Sequence, residues 1–474
     1  TARERIAAFV DAGSFVELGR LAISEMPAVG ERAPADAVIT GIGTVGRRKV
    51  AVIANDATTL AGSTGSVGGR KQGHLLGLAV RKGYPIVGLG DANGARLPDH
   101  LGSDFSAAGG DDQGEHMMGI RETVDRVPRA TAVLGNAYGD PTFWAAASDF
   151  VAMAEGCSIA MSGPALIGSS TGAVTTHEEL GGPAMTVRET GFVTRLEPDE
   201  ATTLDAIRRF LSYLPSHAGL SAPVTPMKRP STPGEELAAI VPERGRRGYD
   251  IRKVIAGVVD AGSFFEMHPE FARSLVTGLA RVEGQPVGVV ANQPKYRGGV
   301  LDADALVKAT RLVELCDGFG IPLVFLQDLP GVMIGPEAER ALVAPKLIGM
   351  FSAIARARVP KVTVLLRKAF GFGYIAMGGP IMGTDYIVAW PNAEIGFMAA
   401  DNAVHVLHHK RLAATLAADG EAAAASQAAE LEARIHSAVA PWQAAGRALI
   451  HDVIHPEETR QAVVNGLFIG SGYR

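Results

Sequence analysis

The sequence predicts an α/β protein built as two tandem copies of one domain, and three observations carry that prediction. First, Val38-Ile39-Thr40-Gly41-Ile42 through Val52-Ile53-Ala54-Asn55 recurs 237 positions on, without a gap, as Leu275-Val276-Thr277-Gly278-Leu279 through Val289-Val290-Ala291-Asn292. The same offset carries Tyr84-Pro85-Ile86-Val87, Asp91 and Gly94 onto Ile321-Pro322-Leu323-Val324, Asp328 and Gly331. Second, short continuous apolar runs alternate with helical stretches in both halves, the pattern of parallel sheets buried on both faces. Third, 47% of the 474 residues are apolar and 20% charged, which is globular rather than disordered composition. A spacing this long is not a solenoid period, which runs about 20–50 residues.

Along the chain, the lead-in Asp11-Ala12-Gly13-Ser14-Phe15 returns as Asp260-Ala261-Gly262-Ser263-Phe264. The expected strands of the first copy are Lys49–Ala54, Ile86–Leu89, Ala132–Leu134 and Ser158–Met161, bounded by Gly, Pro or Asp. Their counterparts are Pro286–Ala291, Leu323–Leu326, Lys361–Leu366 and Ile395–Met398. His74–Lys82 and Ala305–Cys316 carry apolar residues near i, i+3 and i+4 and are expected helices. Later in each copy, Val127-Pro128 and Gly139 match Val359-Pro360 and Gly371, and Asp149-Phe150 matches Asp385-Tyr386. Pro223, Pro226, Pro230 and Pro233 mark residues 222–245 as the expected linker between a first domain at 1–221 and a second at 246–474. The Ala-rich stretch Ala413–Val439 is a helix by propensity, with packing as its expected role.

Composition excludes several functions. A net charge of −5, spread along the chain, argues against nucleic acid as a partner. Two cysteines, Cys157 and Cys316, make neither a disulfide framework nor a Cys-rich zinc site. No apolar run reaches the roughly 18–20 residues of a membrane span, and the first residues lack the apolar core of a signal peptide. A soluble cytoplasmic protein without a metal is the expectation.

Four segments look like chemistry. Gly62-Ser63-Thr64-Gly65-Ser66-Val67-Gly68-Gly69-Arg70-Lys71 lacks the Gly-Lys-Ser/Thr ending of a P-loop. It reads either as a surface loop or as a flexible segment that brings Arg70 and Lys71 to a ligand's phosphates. Asp91-Ala92-Asn93-Gly94-Ala95-Arg96 follows a buried strand, where α/β proteins place ligand loops, and Asp328-Leu329-Pro330-Gly331 is its counterpart. Gly139-Asp140-Pro141 and Gly371-Phe372-Gly373 follow matched strands. A sharp glycine turn there aims backbone N–H groups into a cavity, where two donors stabilise an oxyanion; the plain alternative is a helix-starting turn that glycine permits sterically. Asp140 beside such a hole repels an enolate unless it points away, is protonated or acts as a base. His405 and His409 have the i,i+4 spacing of metal ligands but no acidic or Cys partner nearby, so a solvated helix face is expected.

These residues together resemble the carboxyltransferase (β) subunits of biotin-dependent acyl-CoA carboxylases, the propionyl-CoA carboxylase β-like family. The likeness covers nearly the whole chain and is densest in Arg5–Gly19, Gly62–Arg96, Leu211–Pro215, Asp328-Leu329-Pro330-Gly331, Val359–Met377, Ala389–Met398 and Asp452–Arg460. It implies that each half is a crotonase-like domain and that an active site forms between two chains meeting head to tail in a hexamer. The first domain would take acyl-CoA, and the second a carboxybiotin carried on a partner protein. By carry-over, the N–H groups of Gly139 and Asp140 hold the thioester oxygen, and those of Phe372 and Gly373 hold the biotin ureido oxygen. Arg70, Lys71, Gly94, Ala95, Gly163 and Tyr374 are the implied substrate-binding residues. In that scheme biotin itself takes the α-proton, and the protein needs no base.

The chain departs from the family pattern at three places. Tyr138-Gly139-Asp140-Pro141 stands for the usual Ala-Gly-Gly-Ala, Gly371-Phe372-Gly373-Tyr374 for Gly-Gly-Ala-Tyr, and Pro345-Lys346-Leu347-Ile348-Gly349 for Arg-His-Gly-Ala-Lys. No Ala-Met-Lys-Met biotinylation site occurs, since Met227-Lys228 is followed by Arg229. A separate biotin carboxylase and biotin carrier α subunit is therefore expected. Two other readings stay open: a biotin-independent decarboxylase of a malonyl-type CoA in which Asp140 handles a proton, and a non-catalytic acyl-CoA-binding paralogue.

Overall fold

A computed structural model describes residues 1–101, 119–243 and 247–472. They form two compact units: Thr1–Pro223 with His268–Phe271, and Val224–Met267 with Ala272–Arg474.

The first unit holds a sheet in the order β1-β2-β3-β4-β5-β6-β8, with β7 paired to the far part of β5. Its strands are β1 (Val16–Leu18), β2 (Val38–Val45), β3 (Arg48–Asn55), β4 (Ile86–Asn93), β5 (Arg129–Tyr138), β6 (Phe150–Ala154), β7 (Ser158–Ala160) and β8 (Arg195–Glu197). Strands β1 to β3 are antiparallel, and from β3 onward every pairing is parallel. The second unit repeats the plan with β9 (Phe265–Met267), β10 (Leu275–Val282), β11 (Gln285–Asn292), β12 (Leu323–Leu329), β13 (Lys361–Phe370), β14 (Tyr386–Ala389), β15 (Glu394–Gly396) and β16 (Asp452–Val453).

Register repeats as closely as order. Val38 pairs with Asn55 and Leu275 with Asn292. The β4–β5 ladder slips between Gly90 and Ala92, and the β12–β13 ladder slips between the corresponding Gln327 and Leu329. Such an irregularity bends the strand and re-aims the residues beyond it. In both units the long central strand pairs with one neighbour over its first half and another over its second, so its end projects past the middle of the sheet.

Central strands are longer than their apolar runs indicated, because Gly90, Asp91 and Asn93 in β4 and Thr131, Gly135 and Asn136 in β5 interrupt the pattern without ending the ladder. A larger correction concerns Gly62 to Lys71. From Ser66 on this segment is helical, in one helix Ser66–Lys82. Gly68 is needed for packing rather than for mobility: a Cβ there would lie 3.1 Å from Thr64 Cγ2 and 3.3 Å from Val38 Cγ2. The residues expected as linker include packed ones. Leu237 and Val241 are buried in the second unit's core with Ile255, Val289 and Val364. Residues 244–245, the end of that stretch, lie outside the described residues. The Ala-rich segment belongs to Ala400–Val439, whose helical path breaks at Gly420 (φ 85°, ψ 178°). Thr415 Oγ1 donates to Gln427 Oε1 across the break at 3.0 Å. Of that stretch only Ala400, Ala403, Val404 and Leu431 are buried, and His405 and His409 are exposed.

Candidate active site

The strongest chemical feature is a strand-to-helix corner at the end of each long central strand. In the first unit β5 ends at Tyr138, Gly139 turns with φ 73° and ψ −121°, and the helix Asp140–Ala146 begins. Those angles lie outside the regions open to a side chain, so glycine is required here. Standing at the cap and first position of that helix, Gly139 and Asp140 have N–H groups with no intrahelical acceptor. Thr142 N and Phe143 N already turn back to Gly139 O at 2.9 and 3.3 Å, and Pro141 has no N–H to offer. In the second unit Gly371 (φ 66°) opens the helix Gly371–Ala376 at the end of β13. Phe372 and Gly373 follow, and both keep an N–H.

A loop from the neighbouring strand lies against each corner. Gly94 and Gly331 have φ of 100° and 137°, and both loops are fastened the same way. Thr64 N donates to Gly94 O at 3.2 Å and Arg96 N to Thr64 O at 2.9 Å; Leu301 N donates to Gly331 O at 3.2 Å and Met333 N to Leu301 O at 2.9 Å. The approach is close: a Cβ on Gly139 would sit 3.1 Å from Gly94 Cα and 3.5 Å from Ala95 N. The structure thus brings Gly94, Ala95, Gly139 and Asp140 together. It adds Gly163, whose Cβ would meet the Tyr138 ring at 3.2 Å.

Three expected binding residues are placed less openly. Lys71 is buried, and its Nζ donates to Ala35 O at 2.8 Å and to Val38 O. Burial pushes its pKa down to about 8. An amine held by two carbonyls inside the helix–sheet packing is a structural group, and the phosphate contact expected of Lys71 is corrected on that ground. Its counterpart Lys308 does the same with Leu275 O at 2.7 Å and is pushed to about 7. Arg70, on the outer side, is partly exposed and pairs with Glu25. Tyr374 packs into the second core with Leu365, Ile387 and Ala389, and burial raises its phenol to about 12. Phe372 is 42% exposed and stacks on Phe351 with ring centres 5.6 Å apart.

Other side-chain partnerships at the corners escaped sequence reading. Asp91 and Asp328 sit where the ladders slip, and each is paired with a guanidinium. Arg5 reaches Asp91 through Nη1 at 2.7 Å, Glu200 through Nε and Leu134 O through Nη2. Arg367 Nε and Nη2 lie 3.0 and 2.9 Å from Asp328. Beneath the first loop, buried Arg96 joins Asp36 and Asp99, the latter at 2.6 Å. The Tyr138 hydroxyl lies 2.7 Å from Ser158 Oγ and bonds His177 Nδ1; Ser158 in turn donates to Asn136 Oδ1 at 3.0 Å. Gln72 is fully buried, with Nε2 3.3 Å from Asp140 Oδ2. Aligning the copies flags two of these, since Gln72 faces Ala309 and Tyr138 faces Phe370 at matched positions.

Among the described residues there is no cluster of three His, Cys, Asp or Glu side chains that could hold a metal. No helix among them is long and apolar enough to cross a membrane.

Sheet, slip and corner, twice over, make these tandem crotonase-like α/β domains. The chain belongs to the carboxyl transferase domain family, whose profile matches residues 1–469. It is 36% identical over 472 residues to the propionyl-CoA carboxylase carboxyltransferase subunit of Haloferax mediterranei, covering 98% of this chain and 89% of the relative. The methylmalonyl-CoA decarboxylase subunit alpha of Propionigenium modestum is 33% identical, covering 100% and 90%. The transcarboxylase 12S crystal structure, a hexamer assembly solved with methylmalonyl-CoA bound, superposes with a TM-score of 0.90 at 33% identity, covering 100% of this chain and 91% of that one. The protein is a carboxyltransferase component.

Proposed function

We propose that this chain moves a carboxyl group from carboxybiotin, carried on a separate partner protein, to the α-carbon of an acyl-CoA. The single observation that supports this best is the doubled corner. A transfer between two carbonyl-bearing partners needs an oxyanion hole for each, and both units carry a positive-φ glycine at the same place, at the start of a helix whose first N–H groups have no intrahelical acceptor. Carboxybiotin, when bound, supplies the carboxyl group and a leaving ureido anion. In the first unit Gly139 and Asp140 N–H hold the thioester oxygen as negative charge develops on it. Such a preorganised donor is worth roughly 10²–10³ in rate. In the second, Phe372 and Gly373 N–H suit the ureido oxygen, and the Phe372 ring beside them is exposed. Arg70 meets the CoA phosphates at the surface. The working assembly is a head-to-tail homo-oligomer of cytoplasmic chains, with a biotin carboxylase and biotin carrier subunit as partner.

The test is incubation of the purified chain with malonyl-CoA and methylmalonyl-CoA, with and without free biotin, following CoA products by mass spectrometry. Loss of the carboxyl group stimulated by biotin is the expected result. Equal loss without biotin points to a stand-alone decarboxylase, and no loss with either substrate removes the reading for these acyl groups.

A further inference from the structure

Asp140 is unlike the other inward-facing aspartates described above. Asp36 and Asp99 share Arg96, Asp91 has Arg5, Asp149 has Arg129 at 3.1 Å and Asp328 has Arg367. Each of those carboxylates is fixed by a guanidinium. Asp140 is half-buried, and its one side-chain hydrogen bond among the described residues is the 3.3 Å contact from Gln72 Nε2, at the long end of the useful range.

Gln72 is an odd choice of partner. It is fully buried in the helix Ser66–Lys82, and its Oε1 has no hydrogen-bond partner among the described residues. A buried, unpaired carbonyl costs about 1–3 kcal/mol, and the second copy avoids it with Ala309. A primary amide offers a donor on one side and an acceptor on the other. As it stands it donates to a carboxylate. Turned by half a revolution about its last bond, it accepts from a protonated carboxyl. A side chain that suits both forms is costly for a static carboxylate and suited to one that gains and loses a proton.

We propose that Asp140 is a proton-transfer group at the acyl-CoA corner, held by Gln72, and that the chain by itself exchanges the α-hydrogen of an acyl-CoA with solvent. The inference rests on the reading that the first corner holds the thioester. The α C–H bond breaks, its proton goes to the Asp140 carboxylate, and its electron pair moves into the thioester to make an enolate. The enolate oxygen sits on Gly139 and Asp140 N–H. Negative charge moves from carboxylate to enolate and does not accumulate, which removes the repulsion a carboxylate beside an oxyanion would otherwise cause. Return of a solvent-derived proton from Asp140 to carbon completes the exchange with no oxidant, reductant or biotin. The second corner carries Phe372 in place of Asp140, so this capacity belongs to one side of the reaction.

The experiment is incubation of the full chain, without biotin or partner, with acetyl-CoA and with propionyl-CoA in D2O, reading deuterium at the α-carbon by NMR and mass. Expected is exchange at least 100-fold above buffer, lost in Asp140→Asn and reduced about tenfold in Gln72→Leu. Wild-type exchange no faster than buffer for both thioesters overturns the proposal whether or not the variants fold. Equal exchange in wild type and in a folded Asp140→Asn also overturns it. Biotin-stimulated decarboxylation without α-exchange leaves the carboxyltransferase reading standing and this one fallen; α-exchange without biotin stimulation does the reverse.

Discussion

The two copies solve the same structural problems with residues from different places, and the difference separates what the fold requires from what each site has been given. Both need a counter-charge for the aspartate at the ladder slip. The second takes it from its own central strand, at Arg367. In the first, the matched position is Gly135, where a Cβ would collide with the Asp91 carboxylate, and Arg5 supplies the guanidinium from the helix Ala2–Phe9. Both need an acceptor for the amide three residues into the long helix. Asp302 caps Ala305 N at 2.9 Å in the second copy. In the first, Gly65 stands in the cap position and Asp36 reaches Gly68 N at 2.6 Å instead. The buried lysines, by contrast, are matched in residue and in partner, so they belong to the fold.

Removing a counter-charge tests this comparison most severely. Arg367→Met leaves Asp328, which is fully buried, without its cation. Breaking such a pair costs about 3–5 kcal/mol. Asp91 keeps 18% exposure, so Arg5→Met should cost less than half as much. Urea unfolding of the two variants checks the ranking, and equal losses would break the distinction between an internal and an imported counter-ion.

The corners come next. Gly139→Ala forces a side chain into backbone angles that strain it by about 1–3 kcal/mol and presses it on Gly94. Carboxyl transfer should fall about 100-fold or more. Gly371→Ala meets only Phe397 O at 3.4 Å, so its drop should stay near tenfold. Rates measured with free biotin as acceptor decide this, and a larger loss at Gly371 would reverse the assignment of the tighter hole.

The smallest difference lies in the lysines. Burial lowers both folded-state values below the ordinary lysine value of about 10.4. Between roughly pH 7 and 10 the unfolded chain therefore binds a proton at position 308 that the native chain does not, and stability rises with pH across that window. For Lys71 the window opens near pH 8. Lys308→Met should flatten the pH dependence over about one unit more than Lys71→Met, a gap of about 1.4 kcal/mol. Denaturation midpoints at pH 7, 8.5 and 10 measure it.

Much of this was legible because the duplication supplies an internal alignment. Repeated apolar strings gave the paired strands β2–β3 and β10–β11, and the shared Gly139 and Gly371 gave both corners. The helical start of Ser66–Lys82 was hidden because Gly68 and Gly69 have poor helix propensity; close packing on Val38 overrides it. Lys71 looked like a surface cation because charge in a sequence says nothing of a lysine whose amine finds carbonyls inside. Arg5 and Asp36 were invisible for another reason: their partners lie 86 and 60 residues away, and neither has a counterpart in the other copy. Compensation borrowed across the fold leaves no local pattern.

The placement of Arg5 has a consequence for portability. A segment cut from the second copy at 275–396 takes its aspartate and its neutralising arginine together, as a self-contained cartridge. The matching piece of the first copy at 38–160 takes Asp91 and leaves Arg5 behind. Chimeras that graft second-copy sheets into other chains should therefore fold more readily than those that graft first-copy ones, and a first-copy graft should recover only with Gly135→Arg and room for the Asp91 carboxylate to meet it.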